Sequence, residues 1–536
     1  MASAVTATAL SAGGATTPGV TLSPHATNLL LVGLGLATGM EFYTFDAMNL
    51  VLVDLAGTLG VSFDEASWLL TIYSCALFLG VPVSIWLAGH VGYRRYLVAT
   101  TLLFAAASVG CMLSPGLDSM LLWRAVQGFA GAGLVVWWRA SIYLLLPKPQ
   151  RSPSLMRVSV MLYLSSAAGL LLGGWLTDQF TWRLIFLPNL VYAAGALHLI
   201  LRYFPEVPRP AATRVVGTDW LGILLIGASL VSLQIVLSRG HIEDWLESGR
   251  IRSLCWIAAA SFVAFAYWQT SPRNRAPLLC LDLLRDRYVM ASALIGTCTG
   301  MILSGSLFVL PEYLRNVASP QLSAAQTGMV MCVYALGAAA IRRVMVEIIA
   351  RLGQRRTIAG ALVALIAAML LLSRDLTTTT PGLHYALPLL LYAACLSALL
   401  PAVGSGTVAR IEQNKLLDGV SLYMTFRQFG AALGVALLTI LIEQRETLHS
   451  SRLFEHLQAA GDGTVSWLAR AASTAITRGG ASPVEAGAVA TRLLREAGLH
   501  QSETLANADA FLFMAAVGTV ALCLVPIIPP TPPTKK

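Results

Sequence analysis

The feature that most constrains this chain is a series of long apolar segments separated by short polar loops. A helix satisfies its own backbone hydrogen bonds inside lipid, and roughly 20 apolar residues cross the hydrocarbon core. The segments therefore predict an all-α integral membrane protein with about 14 transmembrane helices. The predicted spans are 28–55, 68–89, 96–117, 119–146, 158–177, 184–201, 220–237, 253–271, 288–311, 327–350, 357–373, 385–409, 420–442 and 510–530.

Composition supports this class of protein. Hydrophobic residues make up 56% of the chain and charged residues 12%, whereas soluble domains carry roughly 25% charged residues. The formal charge of +9 lies in short clusters between apolar runs, so we expect no nucleic-acid partner. The eight cysteines form no C-x-x-C pair, so no metal site is predicted. The sequence lacks the motifs for ATP binding and hydrolysis, so we predict a non-enzymatic protein without a cofactor.

The basic residues indicate how the spans are oriented. They concentrate in alternate short loops, for example at Arg94 and Arg95 and between Lys148 and Arg157. The positive-inside rule places these loops in the cytoplasm. With an even number of spans, both termini are then cytoplasmic. Residues 1–27 and 531–536 are predicted to be cytoplasmic tails, the first of them disordered.

One predicted outer loop, 443–509, is long and too polar to be a span. Ser482 and Glu485 form a capping-box pattern around Pro483, and Gly498 is a helix stop signal. These signals predict a short helix of about fifteen residues between Ser482 and Gly498. Either this helix covers the outer face of the protein, or the loop is a tolerated connector.

A first sequence motif lies between the second and third spans. The stretch from Leu87 to Arg95 resembles the inner-loop signature of the major facilitator superfamily, although Gly89 and His90 replace its Asp and Arg. Gly92 permits a tight hairpin there, and Arg94 and Arg95 are expected to bind lipid phosphates or neighbouring helix ends. A weaker copy at 352–356 indicates a repeat of the bundle.

Further motifs narrow this resemblance to the fourteen-helix drug:proton antiporters of the EmrB/QacA type. They include Phe45-Asp46, Arg124 to Gly128, the antiporter motif at Gly169, Gly173 and Gly174, and Arg427 with its following glycines. The resemblance implies a major facilitator fold of two six-helix bundles plus two additional helices. The bundles would comprise 28–204 and 285–530, and the linker 205–284 would hold the extra pair.

Ionisable residues inside the membrane cost about 2.5 to 3.5 kcal/mol or more, so each needs a partner or a function. Asp46 and Arg124 both lie in the outer halves of their predicted spans, where they could meet across a wet cavity. Asp46 is then either a proton carrier or a static partner that orders Arg124. Glu41 lies nearer the midplane and is either a second proton or cation site, or a packing residue that bonds a neighbouring helix.

The inner half of the predicted bundle is basic. Arg139 and Arg427 lie roughly two turns inside their spans, so they either reach the lipid headgroups or line a cavity that attracts anionic or zwitterionic amphiphiles. Other candidate cavity residues, which could equally be packing residues, are Gln127, Tyr163, Phe308, Tyr334, Tyr423 and Phe426.

The resemblance implies a secondary transporter that exports small hydrophobic or amphipathic compounds, such as drugs or organic acids, by proton antiport. Its partners would be the substrate, protons and membrane lipids, and a periplasmic adaptor protein stays open. Two alternatives also stay open: a flippase for lipids or lipid precursors, and a non-transporting receptor related to transporters.

Overall fold

The computed structural model describes residues 23–206, 219–240, 243–274, 277, 281–377, 382–410, 416–459, 461–479 and 482–528. These residues form α-helices joined by short turns, and no strand occurs among them. The helices are α1 Pro24–Leu59, α2 Phe63–Val91, α3 Tyr93–Leu113, α4 Leu117–Leu145, α5 Lys148–Gln179, α6 Pro188–Tyr203, α7 Trp220–Arg239, α8 Gly249–Thr270, α9 Arg287–Glu312, α10 Ala324–Leu352, α11 Gln354–Asp375, α12 Ala386–Arg410, α13 Leu416–Ala459, α14 Asp462–Gly479 and α15 Pro483–Leu524.

The helices confirm the predicted number of spans. Among the described residues, 13 helices are long and apolar enough to cross a membrane. The remaining predicted span, 68–89, falls within the 29-residue helix α2. Helix α14 lies in the segment predicted to be an outer loop. We call the end of the bundle at which α1 begins the inner end, and the opposite end the outer end, following the predicted orientation.

The spanning helices form two groups of contacts. Helices α1 to α6 pack on one another, and α9 to α13 pack with α15. The extra helix α7 lies against α2 and α13, where the two groups meet, and α8 packs on α7. The groups also meet along α5 and α10. We call the first group the N-terminal bundle and the second the C-terminal bundle.

Glycines bring neighbouring helices into backbone contact. A Cβ atom on Gly128 would lie 2.3 Å from the carbonyl oxygen of Tyr73, and one on Gly300 would lie 2.0 Å from that of Arg427. Small residues permit this approach because helices in lipid associate by close van der Waals packing. The α2–α4 and α9–α13 contacts therefore depend on these glycines.

Two hairpins confirm the repeat that the inner-loop motifs indicated. Gly92 has φ 100°, and its N–H donates to the carbonyl of Ala88 at 2.9 Å, ending α2. Gly353 has φ 77°, and its N–H donates to the carbonyl of Ile349 at 3.1 Å, ending α10. Glycine adopts such positive φ angles without a steric penalty. The next helix begins directly after each glycine, so both bundles turn in the same way.

The first helix begins earlier than predicted. The Ser23 side chain accepts a hydrogen bond from the N–H of Ala26 at 3.2 Å, and Pro24 occupies the first helical position. This N-cap starts α1 at Pro24, four residues before the start of the first predicted span. Residues 1–22 and 531–536, for which tails were predicted, lie outside the described residues.

The prediction of a short helix that ends at Gly498 is wrong. The capping box does form, since the Glu485 N–H donates to Ser482 Oγ at 3.3 Å and the Ser482 N–H donates to the Glu485 carboxylate at 3.0 Å. Helix α15 then continues through Gly498 into the last span. A Cβ on Gly498 would lie 3.3 Å from the ring of Phe454 in α13, so this glycine permits close helix packing.

The segment predicted as a loop is thus largely helical. Helix α13 extends to Ala459, α14 follows, and both pack on α15. His449 of α13 lies 2.9 Å from the Asp509 carboxylate of α15, and Arg445 lies 3.6 Å from it. We call residues 443–459, α14 and residues 483–509 the outer extension.

Candidate functional site

Asp46 lies where the two bundles meet. Its side chain is only 4% exposed. One carboxylate oxygen accepts a hydrogen bond from the Tyr334 hydroxyl of α10 at 2.8 Å, and the other accepts one from the Ser166 hydroxyl of α5. The Ser166 and Tyr334 oxygens are themselves 2.9 Å apart. Asp46 of α1 is therefore held by one hydroxyl from its own bundle and one from the opposite bundle.

The glycines of the antiporter motif bring these helices together. A Cβ on Gly169 would lie 2.4 Å from the carbonyl oxygen of Tyr43 in α1, and one on Gly174 would lie 2.4 Å from that of Ala324 in α10. A Cβ on Gly173 would touch Ala47 at 3.0 Å. These contacts position α5 between α1 and α10, which is where the Asp46 carboxylate finds its two donors.

The expected contact between Asp46 and Arg124 is not present. Arg124 is fully buried and faces α2, where its guanidinium lies 4.1 Å from the ring centroid of Tyr73. Its Nε donates to the carbonyl of Leu69 at 3.3 Å, and one terminal nitrogen donates to Gln127 Oε1 at 2.7 Å. The rotation of α4 thus turns Arg124 away from the α1–α5–α10 junction that holds Asp46.

Gln127 does not line a cavity, contrary to prediction. It is fully buried and donates to Ser108 Oγ at 2.8 Å. Asn189 donates to the same oxygen at 3.1 Å and to Thr44 Oγ1 at 2.8 Å. Buried polar groups require such partners because an unpaired one costs about 1–3 kcal/mol. The chain of hydrogen bonds from Arg124 to Thr44 therefore runs inside the N-terminal bundle.

Glu41 is the acid that lies in the field of the arginines. Its side chain is 8% exposed, and its charged neighbours are Arg427, Asp46 and Arg124. The Tyr73 hydroxyl lies beside its carboxyl group without the geometry of a regular hydrogen bond. Gly131 leaves room for both, since a Cβ there would lie 3.1 Å from that hydroxyl. The sequence assigned Arg124 to Asp46 as its partner, whereas in the structure Glu41 is the acid that lies in the electrostatic field of Arg124.

Arg139 of α4 and Arg427 of α13 approach each other from opposite bundles. The two guanidinium groups repel each other, and the charge of Arg139 also acts on the hydroxyl groups of Tyr163 and Tyr423. The Arg139 guanidinium stacks 4.2 Å from the ring centroid of Trp138 and lies 3.9 Å from Met424 Sδ of the C-terminal bundle. We call this junction between the two bundles the seam. Arg139 thus interacts electrostatically with three other predicted cavity residues, Arg427, Tyr163 and Tyr423.

The remaining predicted cavity residues have other contacts. Tyr334 belongs to the Asp46 contact. Phe426 is half-buried, and its carbonyl accepts a hydrogen bond from Thr297 at 3.2 Å. Phe308 is buried in the main core. It lies eight residues beyond Gly300, the contact point of Arg427, which places it about 12 Å further toward the outer end. Phe308 is therefore separated from the arginines.

Of the two inner-loop arginines, Arg94 contacts a helix end of its own bundle. Arg94 donates to the carbonyl of Leu201 at the end of α6 and lies 3.8 Å from Glu206. A cation at this position compensates the free carbonyls of a helix C-terminus. Arg95 is exposed. Arg94 thus binds a neighbouring helix end, one of the two contacts that the motif predicted.

Sequence reasoning missed the contacts that close the outer end. Arg315, in the turn after α9, binds the Asp54 carboxylate at the end of α1 through both terminal nitrogens, one of them at 2.7 Å. It also donates to the carbonyl of Leu50 at 2.8 Å. Asp178 of α5 accepts a hydrogen bond from the N–H of Ala325 in α10 at 2.9 Å. The bundles are therefore joined at their outer ends in this conformation.

Residues 30–435 match the sequence model of a family described as the Major Facilitator Superfamily. The Multidrug export protein EmrB of Haemophilus influenzae is 25% identical over 435 residues, which cover 80% of this chain and 83% of that protein. The Fatty acid resistance protein FarB of Neisseria gonorrhoeae is 24% identical over 434 residues, with 80% and 83% covered.

Solved structures share the fold. The human organic anion transporter MFSD10 superimposes with a TM-score of 0.58 at 15% identity, covering 94% of this chain and 100% of that one. A peptide transporter of the POT type, solved with sulfate, gives a TM-score of 0.60 at 15% identity, covering 94% and 95%. Sequence identities this low establish a shared fold and nothing further.

Proposed function

Because the chain belongs to the major facilitator superfamily, we propose that it is a secondary active transporter that exports small hydrophobic or amphipathic organic compounds in exchange for protons. The names of its relatives describe export and resistance. Two other functions considered from the sequence, lipid flipping and ligand reception without transport, gain no support from these relatives.

The observation that carries this proposal is the position of Asp46. An acid buried between two bundles is costly unless it has partners, and one of its two donors, Tyr334, comes from the opposite bundle. When the outer ends separate during alternating access, Asp46 loses this donor and gains water. Such a change of surroundings alters the affinity of a carboxylate for a proton. Movement of the bundles and proton binding would then be coupled.

We further propose the orientation and setting that the basic loops predict. The protein lies in the inner membrane of a bacterial cell with both termini in the cytoplasm, so substrate moves toward the outer end and protons toward the inner end. The outer extension then stands in the periplasm, where a periplasmic adaptor protein would contact it. Copurification of a tagged adaptor with wild type, but not with a variant lacking α14, is the result expected for such a partner.

Transport in proteoliposomes tests the proposed function. We expect a substrate such as 2-naphthoate to accumulate on the side of the outer end when that side is made acidic. A weak acid that only diffuses gathers on the alkaline side, so accumulation on the acidic side identifies transport. A protonophore should abolish it. Failure of anionic, neutral and cationic compounds alike to respond to the gradient would contradict proton-coupled export.

A further inference from the structure

We propose that the seam between the bundles holds a binding site for an amphipathic organic anion, placed between Arg139 and Arg427, and that Glu41 is the internal counter-ion of the empty site. The inference rests on the proposed export function and names its substrate class. It concerns binding, so it can be tested without a proton gradient.

The first argument is the balance of charge. Arg139 and Arg427 are like-charged neighbours, and among the described residues neither has a carboxylate within 4.0 Å. Buried charges are stable only when they are paired and hydrogen-bonded. Glu41 lies in the electrostatic field of Arg427 and of Arg124. One carboxyl group thus serves two arginines, and Arg139 adds a third positive charge, which leaves a place for an additional anion.

The second argument is the chemistry around the arginines. A guanidinium offers planar, paired donors that match a carboxylate or a sulfonate. Trp138 and Met424, both buried in this conformation, lie directly against Arg139 with an aromatic ring and a thioether. Tyr423, on the same helix as Arg427, adds a further ring. An anionic head with an aromatic or aliphatic body fits these surroundings better than an inorganic ion, which has no apolar part.

The third argument is the direction of the side chains. An arginine that reaches the lipid headgroups extends away from the protein and stays exposed. Arg139 instead stacks on Trp138 and crosses the seam to Met424 of the opposite bundle. Arg343 of α10 is exposed and does fit headgroup contact. The two kinds of arginine occur in the same chain, so Arg343 provides a matched control.

Glu41 is expected to compete with the bound anion for Arg427. Because Glu41 lies in the field of Arg427, it partly neutralises the charge that the substrate would bind. An arriving anion therefore competes with Glu41 for the arginine. Neutralising this acid should strengthen anion binding, whereas loss of a purely structural acid would weaken it or leave it unchanged.

The test measures binding of two ligands of equal shape, 2-naphthoate and its neutral amide 2-naphthamide, to the full chain in phosphatidylcholine nanodiscs. We expect Arg139→Gln and Arg427→Gln each to weaken naphthoate binding about tenfold or more, and to change naphthamide binding less than about twofold. Arg343→Gln should change neither. Equal loss for both ligands would overturn the anion site.

Three further arms keep the proposal falsifiable. Arg139→Lys and Arg427→Lys retain charge and should keep the preference for naphthoate, which covers the case in which a Gln variant does not fold. Glu41→Gln should bind naphthoate several-fold more tightly than wild type, and weaker or unchanged binding would overturn the counter-ion role. Nanodiscs that contain phosphatidylglycerol should bind naphthoate equally well. Loss of binding there would assign the arginines to lipid headgroups and overturn the site.

These results separate the site from the function. A protein that binds naphthoate as expected but fails to move it up a proton gradient would contradict the proposed export and leave the anion site standing. A protein that transports only neutral compounds up the proton gradient would contradict the anion site and leave the proposed export standing.

Discussion

The pair of Asp54 and Arg315 is the residue contact that most directly joins the outer ends of the bundles. Arg315 is 8% exposed and Asp54 30%, so water screens this ion pair only partly. Loss of a charge-assisted hydrogen-bonded pair in such a place costs about 2 kcal/mol. We expect Asp54→Ala or Arg315→Ala to shift the equilibrium toward open outer ends about thirtyfold.

Cysteine accessibility measures this shift. Val51→Cys, introduced into a chain without other cysteines, places a buried thiol one turn below Asp54. A membrane-impermeant maleimide added outside should label it faster in both Ala variants. The swapped pair, Asp54→Arg with Arg315→Asp, should return the rate toward wild type. Equal rates in all four proteins would show that this ion pair does not hold the outer ends together.

At this scale the sequence predicted which residues are unusual but not their contacts. Asp46 and Glu41 stand out because acids are rare in apolar spans. The donors to Asp46, Ser166 and Tyr334, are 120 and 288 residues away along the chain, and neutral hydroxyls carry no distinguishing signal. The choice between Asp46 and Glu41 as the neighbour of Arg124 depends on the rotation of α4, which periodicity in an all-apolar segment does not fix.

At the scale of helices, the close backbone contact between α9 and α13 gives a direct prediction. Gly300→Ala would place a methyl group 2.0 Å from the carbonyl oxygen of Arg427, so the helices must separate. Overpacking of this kind costs about 1–3 kcal/mol and should lower the midpoint of thermal unfolding in detergent.

The control for this variant is Gly360→Ala in α11. Gly360 is exposed, and no atom lies within 4 Å of its Cβ position. Alanine is favoured over glycine in a helix by about 0.5–1 kcal/mol, so this midpoint should stay the same or rise slightly. A similar fall in both variants would mean that packing against α13 does not explain the effect.

The continuity of α15 is a second prediction about an element. Spin labels at Val489 and Leu512, both exposed, are separated by 23 residues, so an unbroken helix places their Cα atoms about 35 Å apart. Double electron–electron resonance should give one narrow distribution near that distance. A broad or much shorter distribution would support the helix stop that Gly498 indicated in the sequence.

Helix boundaries outside the membrane were the weakest part of the sequence prediction. The capping box at Ser482 was recognised because its signal is local. The end of that helix was misplaced because a glycine signals both a stop and a close contact, and only the position of Phe454 in α13 distinguishes the two.

For the molecule as a whole, the predicted orientation has a direct test. A reporter fused after Arg151 should be active in the cytoplasm, and one fused after Gly461, next to the start of α14, should be active outside it. The two sites are separated by an odd number of predicted spans. Activity of both reporters on the same side would contradict the span count and the orientation together.

The architecture was predictable because bilayer thickness fixes helix length, and the number of spans follows from counting apolar runs. The way in which the bundles meet was not, because lipid-facing and seam-facing residues are equally apolar. Gly169, Gly173 and Gly174 were recognised as a motif in the sequence, but only the structure shows that they pack against α1 and α10.

The central claim, that Asp46 couples proton movement to export, is tested most directly by Asp46→Asn in proteoliposomes. We expect this variant to lose accumulation of substrate against its gradient while it retains exchange of labelled for unlabelled substrate without a pH gradient. Asp118→Asn, which changes an exposed acid at the start of α4, should retain both. Proton-driven accumulation at the wild-type level in Asp46→Asn would contradict the account and transfer the coupling role to Glu41.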